Sequence, residues 1–530
     1  MAWDYIIIGA GSAGCVLANR LSADPSINVL LLEAGGEDSR LKYKLTALSI
    51  NCMNNPDSDW IFRSEPDPTR YGRVDLMSRG KVIGGSSTIN GTIYVRGNRG
   101  DYDHWAQLGN RGWSYDDVLP YFKKVEGNRD GASEGYGKSG PIVVSKLRAV
   151  PHLSHVFVQA MAELGYGENK DYNSEPTEGA SIIHATQLNG IRYSAARGYL
   201  HPVRHRKNLK VITGALVHKI IFEGKRAAGV VFERGSGLET ERAQGEIIVS
   251  ASAFNSPQLL MLSGIGPAEE LRKHGIPIVS ASEGVGRNLH DHPAIHVKSY
   301  VNVRTTNMDN NLLGRLKFGL KFAATRGGEA SFVQSALALI RTRPELEYPD
   351  VQFHFGPFAY EFTDKGLKMI DRPAITLQPN VNRTRSRGHI ELRSNSPYDK
   401  VMIHPNMLSD PYDIETLIAG ARVARAALKT KAFAPYVTTE FQPGASLQSD
   451  EDWVDYTRRV ASHIYHACGT CKMGIDPNAV VDPQLKVIGV DGLRVIDSSI
   501  IPQVPSGNIN AISLAIGEKG ADLLRAARVS

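Results

Sequence analysis

The stretch Asp4-Tyr5-Ile6-Ile7-Ile8-Gly9-Ala10-Gly11-Ser12-Ala13-Gly14 constrains the fold of this 530-residue chain more than any other. Its unbroken apolar start reads as a strand buried on both faces, the kind that occupies the middle of a parallel sheet. Apolar residues then recur at helical spacing from Cys15 to Leu21, and Asp24-Pro25 stops that helix. Val29-Leu30-Leu31-Leu32 is a second buried strand, ending at Glu33. A strand, a glycine turn, a helix and a parallel strand within some thirty residues predict an α/β domain.

The glycine spacing also predicts a ligand. Gly9 permits the tight turn, Gly11 lets the backbone approach a pyrophosphate, and Gly14 lets the helix pack closely on the strand. The free N–H groups of Ser12 and Ala13 open the helix, where its dipole is positive. Glu33, 19 residues beyond Gly14, suits two ribose hydroxyls and would repel a 2′-phosphate, with Ala34 beside it. The turn by itself does not separate NAD from FAD. No second intact Gly-x-Gly-x-x-Gly follows, which argues against a flavoenzyme fed by a nicotinamide.

Farther along, strands are expected at Lys210–Ile212, Val217–Phe222, Gly229–Glu233 and Glu246–Ser250, and a short helix at Gln258–Leu262. Residues 131–140 form a glycine-rich loop. Residues 299–462 change character, with strand alternation at Asp350–Phe355 and helical spacing from Ile414 to Leu428. A last buried strand, Leu493–Asp497, precedes a helix over Ile509–Leu524. Against 55 acidic residues stand 61 Lys and Arg, without a long basic run, so no nucleic-acid partner is expected. Four cysteines are too few to build a disulfide framework and favour a reducing cytoplasm. Met1-Ala2-Trp3-Asp4 leads directly into a strand, so no signal peptide is expected. No apolar run reaches the ~18 residues of a membrane span, although peripheral membrane contact is left open.

Several longer segments resemble the glucose–methanol–choline (GMC) oxidoreductases. Gly80-Lys81-Val82-Ile83-Gly84-Gly85-Ser86-Ser87-Thr88-Ile89-Asn90-Gly91 is similar to that family's first signature. Ser250-Ala251-Ser252-Ala253-Phe254-Asn255-Ser256-Pro257-Gln258, with Ser263-Gly264-Ile265-Gly266, is similar to its second. His466-Ala467-Cys468-Gly469-Thr470-Cys471 resembles the active-site segment, and Asp497 to Pro502 with Ser506 to Ala511 the C-terminal flavin strand and loop. The resemblance spans residues 6–520 in order and is nearest the bacterial choline-dehydrogenase-like branch.

It implies FAD rather than NAD, and a Rossmann-like FAD domain interrupted by an α+β substrate domain with a mostly antiparallel sheet. The expected FAD domain is discontinuous, residues 1–147, 190–298 and 464–530; the substrate domain takes 148–189 and 299–463. By resemblance Gly84, Gly85, Ser86, Asn90 and Gly91 lie against the flavin, Val217 holds adenine through its backbone, and Asp497 and Asn508 touch the ribityl chain and ring. Some members attach FAD covalently through a histidine just before that asparagine. Ile89 stands there in this chain, so non-covalent FAD is expected.

The resemblance also implies the chemistry: an alcohol gives a hydride to flavin N5 and a proton to a base, and becomes an aldehyde or ketone. His466 matches the base, a role suited to imidazole near neutral pH. Asn510 is matched to the second catalytic position, and His354 to a pocket residue of the choline-oxidising members. Electrons then pass to a quinone, a dye-like acceptor or O2. Lyase or light-driven decarboxylase chemistry on the same scaffold is the alternative. His463-x-x-His466-x-Cys468-x-x-Cys471 has zinc-type ligands, but its spacing is too short for an ordinary finger. Cys468-x-x-Cys471 lacks the βαβ context of a thioredoxin-like pair, and His290-Asp291-His292 reads as structural or flavin-side, so no metal is expected. Tyr360 and Glu361 are candidates to face a cationic substrate. Oligomeric state is undetermined.

Overall fold

The computed structural model describes residues 3–129, 135–309, 311–363, 366–444 and 446–529; part of the expected glycine-rich loop, 131–134, lies outside them. The opening unit forms as its pattern predicts: strand Trp3–Ile8, helix Ser12–Leu21 and strand Val29–Glu33. Five parallel strands stand in the order Leu209–Thr213, Val29–Glu33, Trp3–Ile8, the end of Gly237–Val249, and Leu493–Val495. Ile6, Ile7, Leu30, Leu31, Ile247 and Ile248 are fully buried, each adding about 1.5–3 kcal/mol by leaving water. The strand Gly237–Val249 serves twice. Its solvent-facing first half closes an antiparallel meander with Arg226–Arg234 and Ala215–Glu223, and its apolar second half enters the parallel core.

One element is longer than its sequence predicts. Pro257 sets the expected helix start at Gln258, yet the helix runs Ser252–Leu262. A proline inside a helix frees the carbonyl four residues back. That carbonyl, Ala253 O, accepts from Thr470 Oγ1 at 2.6 Å, so a distant segment completes the helix.

A second sheet is antiparallel throughout its main path, in the order Val437–Gln442, Val297–Val301, Ala374–Val381, Val351–Gly356, Ala336–Ile340 and Gly179–Ile182. Helices His152–Glu163 and Pro411–Leu428 share its apolar core through Phe157, Met161, Leu417 and Ala421. The small strand Pro293–Ala294 pairs with both Ala374–Val381 and Ser462–His463. The chain has therefore entered the second sheet by Pro293, and residue 298 falls inside a strand of it. A third small sheet, Glu126–Asn128, Ile142–Lys146, His184–Leu188 and Ile191–Arg192, runs across the expected junctions at 147 and 189. The mixed α/β architecture is as expected. No helix among the described residues is long and apolar enough to cross a membrane.

Candidate active site

A cavity of about 1010 Å³ lies between the parallel sheet and the antiparallel one. Its first half is made by backbone. Gly9 has φ +99°, and a Cβ there would fall 2.4 Å from Ser250 O. A Cβ on Gly14 would fall 1.9 Å from Gly9 O, so Gly14 serves packing and does not line the cavity. Gly11, Ser12 and Ala13 line it, as do Glu33 and Ala34. Glu33 accepts from the N–H groups of Ala10 (2.8 Å) and Gly35 (2.7 Å). Burial raises its pKa to about 7 despite those two bonds.

The Gly84-Gly85 turn passes directly beneath. Gly84 N–H donates to Ala10 O at 2.7 Å, and a Cβ on Gly85 (φ +52°) would stand 2.8 Å from Gly11 Cα. Only glycine fits where these two turns meet. Gly85, Ser86, Asn90 and Gly91 line the cavity, and Gly84 lies behind them. Asn90 Oδ1 accepts from Arg192 Nη1 (2.7 Å) and Thr92 N (3.0 Å). Burial lowers the Arg192 pKa to about 10. Val217 and Asp497 complete this half. Asp497 accepts from Ser252 N, Ser256 Oγ and Ser499 N, and burial still pushes its pKa up. Stretched between Glu33, the helix N-terminus at Ser12 and Asp497, the cradle fits an FAD: carboxylates for sugar hydroxyls, free N–H groups for phosphates, and glycines beneath a flat ring.

At the other end the antiparallel sheet brings four histidines together. Pairing of Pro293 with His463, and a bridge between His290 and Cys468, set the 290–292 segment beside 463–468. Asp291 Oδ1 accepts from the backbone N–H of His292 (2.7 Å) and of His466 (2.8 Å). Burial opposes ionisation of Asp291, yet His463, with Nδ1 3.5 Å from Oδ2, and His466 and Arg79 hold its carboxyl well below the usual range. Tyr465, at φ +68°, is held by Arg79, whose Nη1 donates to Tyr465 O at 3.0 Å. That turn presents His466 to the cavity.

The protons on the pair can be assigned. His292 Nε2 faces two acceptors, Asn382 O (2.9 Å) and Pro505 O (3.1 Å), and must carry the hydrogen. Burial pushes the His292 pKa down, so the ring is neutral and its Nδ1 can only accept. His466 Nδ1, 2.9 Å away, therefore donates to it. His466 Nε2 is left with a lone pair, facing Asn508 Nδ2 at 3.0 Å. Burial, and then the neighbouring His292, push the His466 pKa well below 6.5. Buried, neutral and with its tautomer set, His466 can take a proton from a group in the cavity.

Its amide neighbour is Asn508, and this corrects the sequence assignment of Asn510. Asn510 opens the helix Asn510–Val529 and points to the nucleotide turn, where its Oδ1 accepts from Ser12 Oγ at 2.8 Å. Asn508, two residues earlier and outside the helix, reaches His466, and its Oδ1 accepts from Gln352 Nε2 at 3.3 Å. Alternating residues of a loop entering a helix diverge, and the motif alone does not say which one turns inward.

His354 is buried on the floor of this half, and no hydrogen bond closes either ring nitrogen. Burial lowers its pKa to about 4. Its cross-strand neighbour Gln378 accepts from Gln334 Nε2 at 3.2 Å. Phe332, Phe358, Tyr360 and Tyr465 add aromatic walls. Tyr360 lies inside, its hydroxyl 3.3 Å from His296 Nε2, whereas Glu361 is exposed. Cys468 and Cys471 belong to the apolar core, and burial pushes both thiols up, away from the thiolate that a redox cysteine needs. His290 is structural: Nδ1 lies 2.6 Å from Asn288 O, and Nε2 accepts from Val504 N at 2.7 Å. Sequence reasoning passed over Arg79, Arg192 and the contact of His292 with His466, since none carries a local signature.

Comparison with known proteins agrees with this arrangement. Two GMC oxidoreductase profiles, N-terminal and C-terminal, match residues 3–294 and 384–517. The chain belongs to the GMC oxidoreductase family. It is 43% identical over 528 residues to an oxygen-dependent choline dehydrogenase of Brucella anthropi, covering 98% of this chain and 95% of the relative. A Rhizobium etli protein of the same name is 41% identical over 527 residues, with the same coverage of both chains. Among solved structures, pyridoxine 4-oxidase from Mesorbium loti superposes with TM-score 0.89 at 29% identity, covering 98% of both chains. A formate oxidase superposes with TM-score 0.91 at 25% identity, covering 100% of this chain and 99% of that one. This GMC oxidoreductase is thus an FAD-dependent enzyme of alcohol oxidation, acting on CH–OH groups.

Proposed function

We propose that this GMC oxidoreductase oxidises a primary or secondary alcohol, with His466 removing the hydroxyl proton. One observation carries the reading: the relay from Asn382 and Pro505 through His292 leaves His466 Nε2 unprotonated at the cavity, where its lone pair accepts from Asn508 Nδ2 and a substrate hydroxyl can take that place. Bound FAD supplies the hydride acceptor. His466 takes the proton, Asn508 holds the substrate oxygen in line, and the buried wall keeps bulk water from competing. Asn510 positions the nucleotide turn through Ser12. The residues lining the backbone half hold FAD without a covalent bond, because buried Ile89 offers no nucleophile. The discontinuous division into FAD and substrate domains belongs to the same reading.

The chamber also bears on the substrate. Its carboxylates already carry partners: Asp75 with Arg70 and Arg73, Asp309 with Arg304, and Glu329 with Lys321. Lys298 donates to Tyr360 O at 2.5 Å, behind the aromatic wall. Amides, His354 and aromatic faces therefore meet the substrate, and aromatic faces receive a quaternary ammonium as well as an uncharged alcohol. The test is the flavin spectrum during anaerobic addition of choline, aryl, heteroaryl and aliphatic alcohols. Bleaching by one class assigns the substrate, and admitting O2 or a quinone then assigns the acceptor. A His466→Ala variant that holds FAD yet bleaches at the wild-type rate overturns the role of the histidine.

A further inference from the structure

The hairpin formed by His389–Glu391 and Met402–His404 lies outside the cavity and pairs His389 directly with His404. Side chains alternate along a strand, so Glu391 shares a face with His389. The opposite face is fixed by Ile390 and Ile403, which are buried with Phe254 and Leu289. The hairpin therefore cannot turn over, and two imidazoles and a carboxylate stand together on its outer face.

Their geometry is close to that of a ligand set. His389 Nε2 is 3.5 Å from Glu391 Oε1, and His404 Nε2 is 4.0 Å from Glu391 Oε2. One ligand atom from each residue lies within 4.8 Å of the others. The two rings stack with centroids 4.5 Å apart. His404 Nε2 is shielded from solvent and makes no hydrogen bond. Arg287 Nη1 lies 3.8 Å from Glu391 Oε1, beyond hydrogen-bond length, and leaves Oε2 free of it. Ligands at ~2.0–2.1 Å from one ion sit closer together than these atoms do, and rotation of partly exposed side chains closes the difference. The open side leaves room for water.

We infer that His389, Glu391 and His404 form a binding site for a zinc-type divalent ion, separate from the redox centre. Imidazole with carboxylate suits zinc and its neighbours in the first transition row, whereas calcium and magnesium take all-oxygen sets. The ion would tie together the two strands that bracket residues 392–401. That segment reaches the cavity through Pro397, and Gln258 Nε2 donates to Asp399 O at 2.7 Å.

The test is equilibrium dialysis of the tag-free, FAD-loaded enzyme against Zn2+, with Co2+ as the spectroscopic probe. Saturable uptake of a single ion per chain is expected, with cobalt absorption bands typical of a low-coordinate N/O site. His404→Gln and Glu391→Gln should each weaken binding at least about tenfold while the flavin spectrum stays unchanged. Should one variant fail to fold, His389→Gln supplies the comparison. Zinc should raise the melting temperature of the wild type and leave that of the variants unmoved. Uptake equal in wild type and folded variants, or none in the wild type, overturns the site.

Discussion

Replacing His292 by Phe tests the proton assignment most directly. The substitution removes the acceptor of the His466 Nδ1 hydrogen and the donor to Asn382 O and Pro505 O. In the wild type the alternative tautomer of His466 would set two lone pairs against each other at 2.9 Å and leave Nε2–H facing the Asn508 amide. In the variant this preference reverses. Nδ1–H would be a buried donor without a partner, at a cost of about 1–3 kcal/mol. Moving the hydrogen to Nε2, with the Asn508 amide turned to accept it, avoids that cost. The base-competent fraction then falls by about 5- to 150-fold, since ~1.4 kcal/mol is a factor of ten. Anaerobic stopped-flow reduction of the bound flavin should slow by the same factor. Substrate dissociation should change less, because His292 does not line the cavity. Orphaned carbonyls will also lower the melting temperature, so the rate is measured on the fraction that retains FAD. Wild-type reduction by folded, yellow His292→Phe would refute the tautomer argument.

Four further outcomes follow from the geometry. His466→Ala should keep FAD and lose about 10²- to 10⁴-fold in flavin reduction, the usual share of a general base. The two asparagines should separate: Asn508→Ala slows reduction by about tenfold, one hydrogen bond's worth, whereas Asn510→Ala leaves the rate and loosens FAD, read as flavin released on dialysis. Because burial depresses the His466 pKa, the base is already unprotonated at neutral pH and loses activity only as pH falls through its lowered value; the acid limb of the reduction rate should lie below 6.5, and a limb above that value contradicts the assignment. Gly85→Ala places a Cβ 2.8 Å from Gly11 Cα at φ +52°, so the purified variant should be colourless.

Some of this was legible residue by residue. The nucleotide turn was, because its pattern is local: strand, glycines, helix and Glu33 lie within thirty-odd residues, and Gly14 answers to Gly9 O inside the motif, although Gly9 and Gly11 answer to Ser250 and Gly85 far along the chain. His466 was legible through the segment that carries it. The helix Ser252–Leu262 was read short because the group that offsets Pro257 is Thr470, more than two hundred residues away.

The sequence by itself determined the α/β nucleotide domain and, through its resemblance to the GMC family, FAD as the cofactor. Only the tertiary structure decided which asparagine faces that histidine, which of its nitrogens carries the hydrogen, and which histidines share a strand face. Asn508 and Asn510 are equivalent as letters, and the start of the last helix turns one toward His466 and the other toward Ser12. His292 meets His466 across 174 residues of chain. His389 meets His404 through strand register alone. The physical reason is common to all three: backbone propensity and glycine sterics act between neighbours, whereas the direction of a side chain and the location of its proton depend on partners that only folding brings within hydrogen-bond reach.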